Sequence, residues 1–205
     1  MTELIRKALF NDDRASGVAL IPSQEDRERS NLTGDALSHA KDLLPGKGGQ
    51  EELPPFDEDY PGAVREIIEG ADVNRFYVVP PFGRLRSQPD EVQDALDEKY
   101  ARSGDLATVT LLSVLEALSE EGVAAVTLPA PVFHGQRARH ERAKSLHLGH
   151  PELILEPRSH PFGDARPEIL VRTIFYSGAP VDEETPVTKF FSVSEAGDRD
   201  REEVV

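Results

Sequence analysis

The sequence predicts an α/β fold: a doubly wound, mostly parallel sheet closed by an antiparallel edge. Three observations carry this expectation. Short apolar runs that stop at proline or glycine alternate with stretches of helical spacing. One run, Val123–Leu128, is apolar or β-branched throughout, as expected of a strand covered on both faces. The order along the chain is strand, helix, strand, helix and then two strands in succession. A length of 205 residues suits one domain, or one and a half.

The elements follow in order. Val18-Ala19-Leu20-Ile21 is a short strand ended by Pro22. Asn31-Leu32-Thr33 leads into Gly34-Asp35-Ala36-Leu37 and a helical stretch to Leu44, where Pro45-Gly46 stops it. A short helix is expected over Gly62 to Gly70. Arg75–Val79 is rich in β-branched and aromatic residues, and Pro80-Pro81 ends it as a strand. Asp105 caps a helix whose Leu111, Val114, Leu115 and Leu118 recur at helical spacing, with Gly122 as its expected stop. Arg137 to Leu148 reads as a basic helix, Glu152 to Glu156 as a short strand and Ile169 to Tyr176 as a longer one. No internal repeat is visible.

Composition narrows the chemistry. There are no cysteines, which excludes disulfides, thiolate metal sites and a cysteine nucleophile. His134, His140, His147 and His150 lie close together in sequence, but Glu141 points away from the face that His140 and His147 share, so no metal site is expected. No nucleophile-elbow motif anchors a serine triad. No apolar run reaches the roughly 18 residues of a membrane helix and no signal core opens the chain, so a cytoplasmic protein without a membrane partner is expected.

Acidic residues outnumber basic ones 38 to 23, for a net charge of −15. Two stretches hold most of it, −7 over Glu51 to Asp72 and −5 over Val181 to Val205. The expected organisation is therefore one α/β domain over residues 1–180 with an acidic insertion at about 45–72, then an acidic, disordered tail over 181–205. The remainder is nearly neutral and carries the basic stretch Arg137 to Lys144. Net charge does not by itself exclude a nucleic-acid partner.

Several pieces then occur in a recognisable order. Phe76-Tyr77-Val78-Val79-Pro80-Pro81-Phe82-Gly83 resembles the strand-end Asn-Pro-Pro-Phe-Gly motif of adenine-N6 DNA methyltransferases, above all the modification subunits of type I restriction systems. Asp94 to Tyr100 and Gly104-Asp105-Leu106 are similar to that family's variable helix and lead-in, and Ser119-Glu120-Glu121-Gly122 to its turn before the next strand. Val123 to Pro129 with Phe133, the arginines of Arg137 to Arg142, and Ile169 to Phe175 after Pro161-Phe162-Gly163 complete a resemblance over about Asn31 to Ser177.

The resemblance implies a Rossmann-like class I methyltransferase sheet, incomplete at its N-terminal, cofactor side. It makes Gly17 to Pro22 the second strand of that family and Asn31 to Leu37 the third. S-adenosylmethionine is the implied cofactor, with Asp35 near its adenine; Ala19 and Ile21 stand where the ribose-binding acid is expected. Val79, Pro80, Pro81 and Phe82 fall at the catalytic motif. There Phe82 would stack on a flipped adenine and the Pro80 carbonyl would accept from its amine, while Val79 replaces the polar residue. Arg84, Arg86, Arg137, Arg139 and Arg142 are the implied phosphate contacts. The expected function is a divergent or truncated adenine-N6 DNA methyltransferase domain with impaired catalysis. The alternative is a non-catalytic DNA- or partner-binding module of a restriction or phage-defence system. Expected partners are DNA, and a subunit or second copy that completes the sheet.

Overall fold

A computed structural model describes residues 9, 16–26, 49–100, 104–129, 145, 148–157, 171–178, 189–193 and 202–204. Within them the chain forms β1 (Val18–Ile21), β2 (Gly49–Glu52), α1 (Tyr60–Gly70), β3 (Arg75–Val78), α2 (Asp90–Tyr100), α3 (Leu106–Ala117), β4 (Val123–Pro129), β5 (His150–Pro157), β6 (Val171–Ser177), β7 (Lys189–Val193) and β8 (Glu202–Val204). The strands make one sheet in the order β2-β1-β3-β4-β6-β5-β7-β8. β2, β1, β3 and β4 run parallel, β6 is antiparallel to both β4 and β5, β7 is parallel to β5, and β8 closes antiparallel to β7. The sheet is thus mixed, with its parallel half at the motif end of the strand order.

Strand pleating sorts the side chains. Val18, Leu20, Phe76, Val78, Ala124, Val126, Leu128, Ile174 and Tyr176 share one core with α1 and α3. On the opposite face the register aligns Ala19, Tyr77, Ala125 and Phe175 in one row, all buried. The small alanines leave room for Tyr77, whose hydroxyl meets Thr127 Oγ1 at 3.1 Å; Thr127 Oγ1 in turn meets Thr173 Oγ1 at 2.9 Å. Burial pushes the Tyr77 phenol up to about 12, partly offset by the Thr127 hydrogen bond.

α1 begins with proline in its first turn and buries Tyr60, Val64 and Ile68, one residue per turn. That stripe packs on α3, where the Tyr60 hydroxyl lies 2.8 Å from Thr110 Oγ1. α3 is buried continuously from Leu106 to Leu115 because the sheet covers one side and α1 another. Its buried hydroxyls are satisfied within the helix, Thr110 donating to Leu106 O and Ser113 to Val109 O.

Some expectations meet a different outcome. α3 ends at Ala117 rather than running on to Gly122, because Leu118 takes an extended backbone (φ −69°, ψ 128°) and a turn follows, closed by Gly122 N–H donating to Ser119 O. Gly17 to Pro22, expected one place further out, pairs directly with the motif strand β3. Within the stretch read as an acidic insertion lie strand β2 and helix α1, and within the stretch read as a tail lie β7 and β8. The predicted helix up to Leu44 and most of the basic helix from Arg137 lie outside the described residues. Among the described residues no helix is long and apolar enough to cross a membrane.

Candidate functional site

From the carboxyl end of β1 the chain departs towards β2, and from that of β3 it departs towards β4. Adjacent strands whose connections leave in opposite directions open a crevice, and doubly wound sheets bind ligands there. The two neighbouring strand ends carry Ile21-Pro22-Ser23 and Val79-Pro80-Pro81-Phe82, all buried but the half-buried Phe82. The Pro-Pro-Phe motif therefore ends the strand that borders the switch point.

Its loop is fastened at both ends. Val79 N–H donates to Leu20 O at 2.9 Å, which ties the loop to β1. Beyond the motif, Leu106 N–H donates to Gly83 O at 3.0 Å and Leu85 N–H to Gly104 O at 3.3 Å, with an antiparallel bridge between Arg84 and Asp105. Gly104 makes this junction at φ +67°, a conformation a side chain would strain. The Asp105 carboxylate then caps α3, accepting from Thr108 N at 2.8 Å and from the Thr108 hydroxyl at 3.0 Å. A short turn, Leu85–Ser87, is held by Gln93, whose side-chain amide donates to Gln88 O at 2.7 Å.

The residues singled out in the sequence fall as follows. Val79 is only 1% exposed, Pro80 and Pro81 are buried, and Phe82 is half-buried against the core. Arg84 and Arg86 are exposed beside the loop. Asp35, Arg137, Arg139 and Arg142 lie outside the described residues.

Two features escaped the sequence reading. Glu52 ends β2, the strand one place out from β1, and its register partner is Ile21. An acid at that position is where doubly wound folds meet ribose hydroxyls. It was read as part of an acidic insertion because β2 carries no apolar signal: Gly49-Gln50-Glu51-Glu52 is exposed throughout. The second feature is the turn after β1. Gln24–Asp26 adopt helical backbone, Ser23 Oγ accepts from Asp26 N–H at 3.2 Å, and the Ser23 hydroxyl donates to Asp26 Oδ2 at 2.9 Å. The Ser-x-x-Asp spacing after Pro22 is a capping signature legible in the sequence itself.

The strand order and the crevice decide the architecture. The chain has the class I methyltransferase fold. It is similar to a structure assigned as the modification subunit of a type I restriction enzyme from Vibrio vulnificus YJ016, with TM-score 0.62 and 14% identity over 97% of this chain and 47% of that one. It is also similar to a structure assigned as a class I S-adenosylmethionine-dependent methyltransferase from Listeria monocytogenes, with TM-score 0.56 and 13% identity over 96% of this chain and 64% of that one. The M protein of the type I restriction enzyme EcoKI matches with TM-score 0.51 and 14% identity over 94% of this chain and 47% of that one. The chain thus spans from about half to under two-thirds of these proteins' own length. No protein-family model matches it, and no curated protein matches it by sequence.

The methyltransferase fold implies S-adenosylmethionine, and the residues at the crevice fit only one half of it. Glu52 suits the ribose. The turn after β1, which should be glycine-rich so that backbone can approach the ligand, instead carries the buried side chains of Ile21, Pro22 and Ser23. The donor set does not fit the whole cofactor.

Proposed function

We propose that the chain is a divergent adenine-N6 DNA methyltransferase domain of the kind found in restriction-modification subunits, and that its own catalysis is impaired. The observation that carries this reading is the position of Val79-Pro80-Pro81-Phe82 at the carboxyl end of β3, bordering the switch-point crevice. An adenine reached by such an enzyme must leave the stack. Phe82 offers a face for the extruded base, a contact of about 1–3 kcal/mol. The Pro80 carbonyl supplies one acceptor for the exocyclic amine. Val79 supplies none, because an isopropyl group accepts no hydrogen bond, and an amine buried there loses a partner at about 1–3 kcal/mol. An interaction of that kind lost from the transition state slows the reaction by about 10²-fold.

Arg84 and Arg86, exposed beside the loop and without an ion pair to a described residue, are placed to meet phosphates. They also favour the second reading, a non-catalytic DNA- or partner-binding module. The exposed outer strand β2 is where a partner subunit or second copy would add a strand to complete the sheet. Work on DNA places the protein in the cytoplasm, and S-adenosylmethionine enters only by resemblance to its neighbours in fold.

The test uses a single-stranded oligodeoxynucleotide carrying 2-aminopurine. Binding should change the probe's fluorescence, and Phe82→Ala should weaken binding by about tenfold and lose that change. Arg84→Glu with Arg86→Glu should weaken binding and lower the salt slope by about 1.4 for two phosphate contacts on a single strand. No binding at any salt concentration would overturn the reading.

A further inference from the structure

The second reading above leaves the outer edge of the sheet open to a partner, and the inference that follows rests on that reading. We propose that β2 is paired by an extended, lysine- or arginine-rich segment of a partner protein, and not by a second copy of this chain.

β2 ends the strand order, and among the described residues no strand lies beyond it. Its register with β1 sets where its backbone groups point. Leu53 N–H donates to Ile21 O, so Leu53 and, by alternation, Glu51 turn their backbone groups towards β1. Gln50 then turns its N–H and C=O the other way, out from the sheet. The devices that commonly blunt such an edge are missing: β2 holds no proline and no lysine, and its register with β1 has no bulge. All four of its residues are exposed.

Charge then selects the partner. Glu51, Asp57, Glu58 and Asp59 are exposed and have no ion pair to a described residue, and no basic residue stands between Gly49 and Asp59. Helix α1, which follows, adds the exposed Glu66 and Glu69, while its one base, Arg65, is engaged with Glu116 at 3.6 Å. A surface of one sign draws in the opposite sign and turns away its own. Two-fold antiparallel pairing of β2 with itself through Gln50 sets the two Glu51 side chains directly opposite, about 5 Å apart, or diagonal, about 7–8 Å apart. Like charges so placed repel, and each copy also brings a net charge of −15. An incoming strand with cations at alternate positions meets Glu51 instead and supplies partners for both backbone groups of Gln50.

Calorimetric titration of the full chain uses a short peptide of alternating lysine and valine, and the same peptide N-methylated at every backbone amide. Methylation keeps the charge and removes the ladder donors, so it should weaken binding by at least about tenfold. Gln50→Pro, which removes only an outward N–H and is tolerated on an edge strand, should weaken the unmethylated peptide by about tenfold and leave the far-ultraviolet spectrum unchanged. Glu51→Gln should weaken it by about threefold. No binding of the basic peptide at millimolar concentration overturns the proposal. So does equal binding of the methylated peptide, or an unchanged affinity in either variant. Sedimentation of the chain alone should show a monomer. A dimer that Gln50→Pro dissolves would give the edge to a second copy, which keeps the partner reading and removes this inference. The 2-aminopurine oligonucleotide, run on the same samples, reports separately on the DNA reading.

Discussion

Gly178 sits where the chain leaves β6, at the end of the sheet opposite the motif, and its N–H donates to Gly122 O at 3.0 Å. A Cβ there would run into the Ser119 carbonyl oxygen, a backbone atom that cannot swing away. Gly122 is similarly confined, with Leu118 Cδ1 at 2.6 Å from where its Cβ would be. Gly178→Ala should therefore cost about 1–3 kcal/mol, read as a lower urea midpoint at unchanged slope. An unaltered midpoint would mean that the turn repacks freely. Val79 is the opposite kind of residue: its buried isopropyl group packs well and is chemically silent, so its fit to the fold is no guide to the motif's chemistry.

α3 is anchored by the residue that caps it. Asp105 caps it through Thr108, while the backbone on either side of Asp105 bonds the loop after the motif. Asp105→Ala should destabilise the protein by about 1 kcal/mol, and Asp105→Asn, which keeps an acceptor, by clearly less; thermal unfolding of both variants checks this. At this scale much was legible in the sequence. β1 matches the apolar run Val18–Ile21, β3 the run that Pro80 ends, and α3 starts at the predicted cap. What was not legible depends on distant chain. The early stop of α3 is set by the packing of Gly122 and Gly178 against the Ser119 turn, which no local periodicity records. β2 is a strand only because β1 pairs with it, so four exposed residues gave no signal, and with β2 went the place of Glu52. The motif was readable as a string. That it faces the end of β1 follows from parallel pairing between segments far apart in sequence.

Across the whole molecule the acidic excess and the burial of phenols govern stability in different ranges of pH. Tyr60, Tyr77 and Tyr176 are all buried, and burial is the first cause that raises each. A phenol whose folded value lies above its unfolded one stabilises the fold fully below the unfolded value near 10, and that contribution is lost as pH rises through the folded value. Unfolding free energy should thus be flat in these groups up to about pH 10 and then fall by up to about 1.4 kcal/mol per pH unit for each tyrosine. Phenolate absorbance should appear for three of the four tyrosines only as the protein unfolds. Three phenolates forming in the intact fold would contradict the burial described. The acidic excess acts otherwise, since it is gathered in two stretches whose self-repulsion weakens with added salt.

The stitching of the motif loop to β1 at one end and to the start of α3 at the other has a consequence for the motif itself. Backbone hydrogen bonds at both of its ends fix the described motif loop to the sheet and to α3, so its course is set when the sheet forms. A change that loosens either tie, at Leu20 or at Gly104, therefore displaces Val79 to Phe82 without touching them.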